Sequence, residues 1–373
     1  MKHLKYVVFV VFIVTGQILA AQTDSTVSDV FAWDASYIGD LGQNFDGGIK
    51  KGNTLMGLLS LGASLRTDRL WKGGELYGQV MSSHGKGLSA NYIGDLQYVS
   101  SIENGNYWIF VEKFYYRQHF RWGWLTIGLQ DLNQDFLVND GGCHFVNSSF
   151  GTPSTFPLNF PAPIYPKTTL AVSGMYSLSD EWTIKLAVFD GDCGTLERDK
   201  INMRWEIPDK NELLWIGELS YVPMERIQIK VGSIYHTGNF PEIEDSSKVY
   251  KGVFGTYTLV DWSIIQRPHK RISSFARVSY HPSKGNYNPL YLGGGLVIQG
   301  YIFNRAEDHL GLGFAYARFY DHSYECDIEC NYCIGINQHI SLMPSFHYVL
   351  HPGGGMADLR NATAGILRII LTK

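Results

Sequence analysis

The residues best equipped for chemistry crowd into "SYECDIECNYCIGINQ", positions 323–338, which holds three of the five cysteines. Zinc would need thiolates turned toward one point by a tight knuckle. The segment alternates instead, with Glu325, Asp327, Glu329 and Asn331 on one phase and Cys326, Ile328, Cys330, Tyr332, Ile334 and Ile336 on the other. A period of two marks a strand. In a strand Cys326 and Cys330 share a face but stand about 13 Å apart, and Cys333 points the other way, so the three cannot hold one ion. A second candidate, "DLNQDFLVNDGG", spaces Asp131, Asn133 and Asp135 like the start of a calcium loop, but Phe136 occupies the glycine position and Gly142 the terminal glutamate position. It reads as the start of a long loop. No HExxH or GxSxG signature is present. The glycine-rich "LGLGFAYA" and "GGGMAD" lack the following helix that a phosphate cradle needs. No catalytic residue, metal site or cofactor is therefore expected.

The elements that position these groups are short, alternating and numerous. Leu55, Gly57, Leu59, Leu61, Ala63 and Leu65 make one unbroken apolar face, as do Leu310, Leu312, Phe314 and Tyr316, and Leu342, Phe346, Tyr348 and Leu350. A soluble sandwich and a membrane barrel both produce this pattern. Abundant Tyr and Trp, uniform strands and an export leader favour the barrel. Strands are expected near 29–46, 53–67, 73–84, 106–118, 122–130, 167–177, 181–190, 210–221, 225–236, 249–260, 271–281, 289–301, 308–318, 323–336, 339–350 and 361–371. Sixteen is an even number, as bacterial barrels require, and the short links "DRLWKGG", "RWG", "SLSDE", "VPMER", "NRAED" and "NQH" all fall on one side. The fold class expected is all-β, a sixteen-stranded antiparallel transmembrane β-barrel with long external loops, one of them folded inward. Residues 85–105 are read as external, and 131–166 as the inward loop that narrows the channel.

Residues 1–21 read as a signal peptide, with Lys2, His3 and Lys5 before the apolar run Tyr6 to Val14 and small residues at Ala20 and Ala21. Residues 22–373 read as one barrel domain, since no linker or composition break divides them. Net charge of −4 argues against nucleic acid as a partner. An odd number of cysteines leaves at least one thiol unpaired, and pairing of Cys143 with Cys193, both in expected external loops, stays open.

Several stretches, in this order and spacing, carry a family resemblance: "GQNFDGGIKKG", "YIGDLQYVSSIE", "IYHTGNF", "GTYTLVDW", "RAEDHLGLGFAYA" and "VLHPGGG" followed by "NATAGILRI". Over essentially the whole mature chain the sequence resembles the carbohydrate-selective porin (OprB) family. It departs from that pattern by ending "RIILTK", where many members finish on an aromatic residue. The resemblance implies a pore in the outer membrane of a Gram-negative bacterium, passing small sugars by diffusion, surrounded by outer-membrane lipid and inserted by the barrel-assembly machinery. Whether it is a monomer or a homo-oligomer stays open, as does a general diffusion pore without sugar preference or a non-conducting structural or enzymatic outer-membrane barrel.

A sugar path suits donors and carboxylates facing one another. Alternation places Arg66, Lys185, Lys230, Arg277 and Arg368 inward, with Glu218, Glu325, Asp327 and Glu329. Glu112 joins these lumen candidates although its strand, "YWIFVEKFYYRQ", carries charge on both phases. Asp131, Asn133 and Asp135 are candidates on the constriction loop. Gly311, Gly313, Ala315 and Ala317 are expected to leave open space inside the barrel.

Overall fold

The alternating segments become strands whose backbone groups pair on both sides, the arrangement hydrocarbon demands of a sheet. The structure, a computed structural model, describes residues 30–194, 199–203, 205, 212–355 and 358–373, so the expected leader lies outside the described residues. Sixteen antiparallel strands close into one barrel, the first pairing with the last. They are β1 (Phe31–Gly48), β2 (Gly52–Arg66), β3 (Gly74–Gly85), β4 (Tyr107–Phe120), β5 (Gly123–Gln130), β6 (Thr169–Ser177), β7 (Trp182–Asp190) and β8 (Leu213–Met224). The second half comprises β9 (Ile227–Pro241), β10 (Val249–Arg267), β11 (Lys270–Tyr280), β12 (Leu290–Gln299), β13 (His309–Arg318), β14 (Tyr324–Asn337), β15 (Ile340–Leu350) and β16 (Arg360–Thr372). The links 67–73, 121–122, 178–181, 225–226, 268–269, 300–308 and 338–339 share one rim, the periplasmic one in bacterial barrels, while the long loops share the other rim with the short link between β1 and β2.

The faces divide as the period of two requires. Leu55, Leu61, Leu186, Val231, Phe314, Ile328 and Phe346 point outward and are exposed to the surroundings of the barrel. Such a continuous apolar band is favourable only against lipid.

Inside, two loops rather than one fold into the barrel. In the segment between β5 and β6, Leu132, Phe136, Leu137, Phe156 and Phe160 pack on the inner wall formed by Phe189, Leu214, Ile216, Ile234, Val253 and Leu259. The segment between β3 and β4, expected outside, also turns inward. Its Leu88, Ile93, Val99 and Ile102 pack against Met56, Leu58, Met343, Val349 and Ile366. Each loop thus buries its own apolar residues on the wall, the main gain that offsets the cost of ordering it.

The small inward residues of β13 serve this packing and do not leave open space. A Cβ on Gly313 would come within 2.6 Å of the Phe145 ring and 3.0 Å of Phe150. Ala315 is fully buried in the same cluster, beside Phe145, Phe150, Phe275 and Tyr291.

Candidate functional site

Most of the inward charges hold the loops in place. Glu325 accepts backbone N–H groups from Leu96 at 2.9 Å and Gln97 at 3.0 Å on the first inward loop, and from Gly353 at 2.8 Å on the last outer loop. Glu329 accepts the amides of Val146 at 2.8 Å and Asn147 at 3.0 Å, while Asn147 donates its side chain to Asp327 at 2.8 Å. Glu218 accepts the Leu137 amide at 3.2 Å and the Tyr257 hydroxyl at 2.9 Å. The cations take the carbonyls. Arg277 donates to Leu137 at 3.0 Å and Gly151 at 2.9 Å, Lys185 to Asp135 at 2.6 Å, and Lys230 to Val138.

Arg277, Arg368, Glu218, Glu325, Asp327 and Glu329 turn inward, but they do not face one another across an open path. Arg277 and the three carboxylates of β14 are almost wholly buried. Arg368 is also buried, and its partner is Asp40 of β1, a residue absent from the expected set. Arg66 sits at the end of its strand on the periplasmic rim, exposed and paired with Asp68 at 2.7 Å. Glu112 turns into the barrel and is fully buried.

On the constriction loop, Asp131 caps the short helix Leu132–Asp135 by accepting the Asn133 amide at 2.8 Å. The Asn133 side chain donates to the carbonyls of Phe136 and Gly151. Asp135 meets Arg117 of β4 at 2.6 Å, with the two side chains 17% and 13% exposed, so this pair keeps contact with solvent. Lys185, 23% exposed, lies beside them. The Arg117 guanidinium also lies over Trp124, 4.1 Å from the ring centroid, and 5.3 Å from that of Tyr115. Arg117 was not singled out from sequence. Its strand changes phase at a bulge, so the alternation that fixed the other registers fails there.

One cluster has the spacing of a nucleophile relay: Asp327 lies 2.8 Å from Nδ1 of His347, whose Nε2 is 3.0 Å from the Ser345 hydroxyl. Asp327, Glu329 and His347 also bring possible metal-ligand atoms within 4.8 Å of one another. Both resemblances are explained by the clamp. The loop residues Val146 and Asn147 roof the cluster, His347 is 0% exposed, and the oxygens nearest the imidazole already have donors. All five cysteines are unpaired, including Cys143 and Cys193. Cys330 is exposed on the outer face, while Cys333 is buried inside.

A closed sixteen-stranded barrel with an apolar outer band, and with loops that narrow a polar interior, defines an outer-membrane diffusion porin and not an enzyme. The family model for the carbohydrate-selective porin, OprB family, matches residues 50–372, and the chain belongs to that family. It is 22% identical to Porin B of Pseudomonas aeruginosa, over 89% of this chain and 85% of that one. Among solved structures it resembles OprB of Pseudomonas putida at high pH, with a TM-score of 0.84, 17% identity and coverage of 92% of this chain and 94% of that one. The low-pH structure of that protein gives a TM-score of 0.60 at 14% identity, covering 92% and 93%. The protein is a Gram-negative outer-membrane porin for sugars.

Proposed function

We propose that solutes pass the constriction beside Arg117, Asp135 and Lys185, and that small neutral polyols are preferred there. The observation that carries this reading is the Arg117–Asp135 pair, an inward ion pair joining wall to constriction loop that keeps both side chains in contact with solvent. Arginine offers a fork of donors and aspartate offers acceptors, so a sugar can exchange its hydration for both without transfer of net charge. Tyr115 and Trp124 are buried against the guanidinium and hold it in place for this role. A charged solute gains from one member of the pair and is repelled by the other. As a closed barrel, the protein is also a substrate for the barrel-assembly machinery. Lumen placement alone supports roles for Lys230 and Glu218 in tuning the field around the path.

Liposome swelling with hexoses against amino acids of similar mass tests the proposal. The wild-type channel should admit the hexose faster than charged amino acids. Arg117→Gln should lower the hexose rate relative to a neutral amino acid at least twofold and shift ion selectivity toward cations. An unchanged ratio in the variant would return the channel to unselective diffusion.

A further inference from the structure

At residue 112 the fourth strand departs from its ladder. Gln79 pairs with Lys113 and Val80 with Val111, which leaves Glu112 as the extra residue of a β-bulge. Bulges re-aim side chains, and this one turns Glu112 into the barrel wall, where it is 0% exposed. Neither carboxylate oxygen has a nitrogen or hydroxyl donor among the described residues. The carboxyl group lies instead against that of Asp131, at the root of the constriction loop. A buried carboxylate facing another is strongly unfavourable unless a positive charge or a proton sits between them.

The remaining valences can be counted. Asp131 commits one oxygen to the Asn133 amide at 2.8 Å. The backbone carbonyls at the bulge are taken, since the Thr168 hydroxyl donates to that of Glu112 at 2.6 Å and the Asn202 side chain to that of Val111 at 3.0 Å. Among the described residues, both oxygens of Glu112 and the second oxygen of Asp131 stay without a donor. Among the described residues the cationic side chain acting on both acids is Lys113, which leaves one negative charge uncompensated. A shared proton would satisfy a single oxygen of Glu112 and orphan the other. A hard divalent cation, which accepts carboxylates in bidentate fashion, takes both.

We propose that Glu112 and Asp131 bind a divalent cation of the calcium class, Glu112 through both oxygens and Asp131 through one, and that the ion pins the constriction loop to β4. Asp131 is only partly buried, so water can reach the ion and complete its shell. This arrangement differs from a calcium loop. Of the three loop candidates only Asp131 takes part, because Asn133 holds the carbonyls of Phe136 and Gly151 and Asp135 holds Arg117. The carboxylate that a calcium loop draws from its own terminal position comes here from a neighbouring strand.

The test uses lipopolysaccharide-free, full-length barrel in detergent, stripped with EDTA and titrated with calcium chloride while bound calcium and melting temperature are followed. The expected result is one calcium ion per chain and a melting temperature that rises and saturates with occupancy. Glu112→Gln, which keeps shape and can donate as a protonated acid would, should weaken binding at least tenfold. Asp68→Asn, at the exposed periplasmic rim, should leave it unchanged. If Glu112→Gln does not assemble, Asp131→Asn reads the same site, since asparagine still caps the short helix. Absence of saturable calcium binding by the wild-type barrel would assign the pair a shared proton and overturn the proposal. Full binding in both site variants would overturn it equally.

Discussion

Arg368 and Asp40 face each other across the seam where the last strand meets the first, joined by two parallel hydrogen bonds, Nε to Oδ1 and Nη2 to Oδ2, each 2.8 Å long. Such a fork is the strongest geometry a charged pair adopts, and both side chains are nearly sealed from water. Ser100 of the first inward loop donates to the same Asp40 carboxylate at 2.7 Å, so one anion ties the seam to the loop.

Removing one partner of that pair should therefore cost more than an ordinary surface ion pair. Asp40→Asn is expected to destabilise the barrel by about 3–5 kcal/mol, because it leaves the Arg368 charge buried and unpaired. The temperature at which the folded band is lost on unboiled gels measures this. A shift within error of wild type would mean that the seam does not depend on the pair.

Arg277 supports a second expectation. Its guanidinium is 1% exposed and spans two carbonyls of the constriction loop, those of Leu137 and Gly151. Arg277→Met should leave the barrel closed but release the loop, since the bonds lost are to the loop and not to the wall. Single-channel recording should show higher conductance and more current noise. A shift in ion selectivity at unchanged conductance would instead place Arg277 on the path itself.

The registers of Glu325, Asp327, Glu329, Arg277 and Arg368 were legible because each strand keeps one apolar face against lipid, and a slip by a single residue would turn it inward. What those charges bind was not legible. Their partners are largely backbone N–H and C=O groups of Leu96, Gln97, Leu137, Val146, Asn147 and Gly151, which every sequence has and none advertises. The same limit hid the inward turn of residues 86–106, where Leu88, Ile93 and Val99 show neither strand nor helix period. On β4 the bulge defeats alternation directly. Phe110 and Glu112 are buried inside on even positions, and beyond the bulge Tyr115 and Arg117 face inward on odd ones. The glycines of β13 were read as empty space because sequence cannot show that a phenylalanine from elsewhere fills them.

His281, in the loop after β11, gives a pH dependence with a definite sign. It is buried between the rings of Phe156 and Phe160 on the constriction loop, and burial pushes its pKa down to about 3. The unfolded chain takes up its proton near 6.5 and the folded chain does not. The stability tied to neutral His281 is therefore complete above about pH 6.5 and falls as pH drops toward 3, by up to about 1.4 kcal/mol per unit. His281→Gln removes this titration. The melting temperature of wild type should fall more steeply between pH 7 and 4 than that of the variant. Parallel slopes would show that other groups carry the acid response.

Cys143 is the thiol best placed to report on the channel. It belongs to the constriction loop and is exposed, whereas Cys193 and Cys333 are buried and Cys330 faces outward toward lipid. A charged thiosulfonate cannot enter hydrocarbon, so in intact membranes it should modify Cys143 ahead of Cys326 and Cys330. Partial desolvation by the surrounding loop raises the Cys143 thiol above its usual pKa, with the Arg277 charge opposing that shift only in part. The thiolate is the reactive species, so modification should be slow at pH 7 and accelerate by about tenfold per unit as pH rises toward that pKa. Each added group lies in the segment that narrows the barrel, three residues from the Val146 amide that Glu329 holds. Conductance should consequently fall in discrete steps as channels are modified, and Cys143→Ser should abolish the steps. If the reagent labels Cys143 fully without changing the current, the segment 140–144 lies off the conducting path, and the restriction is set by the Arg117–Asp135 pair alone.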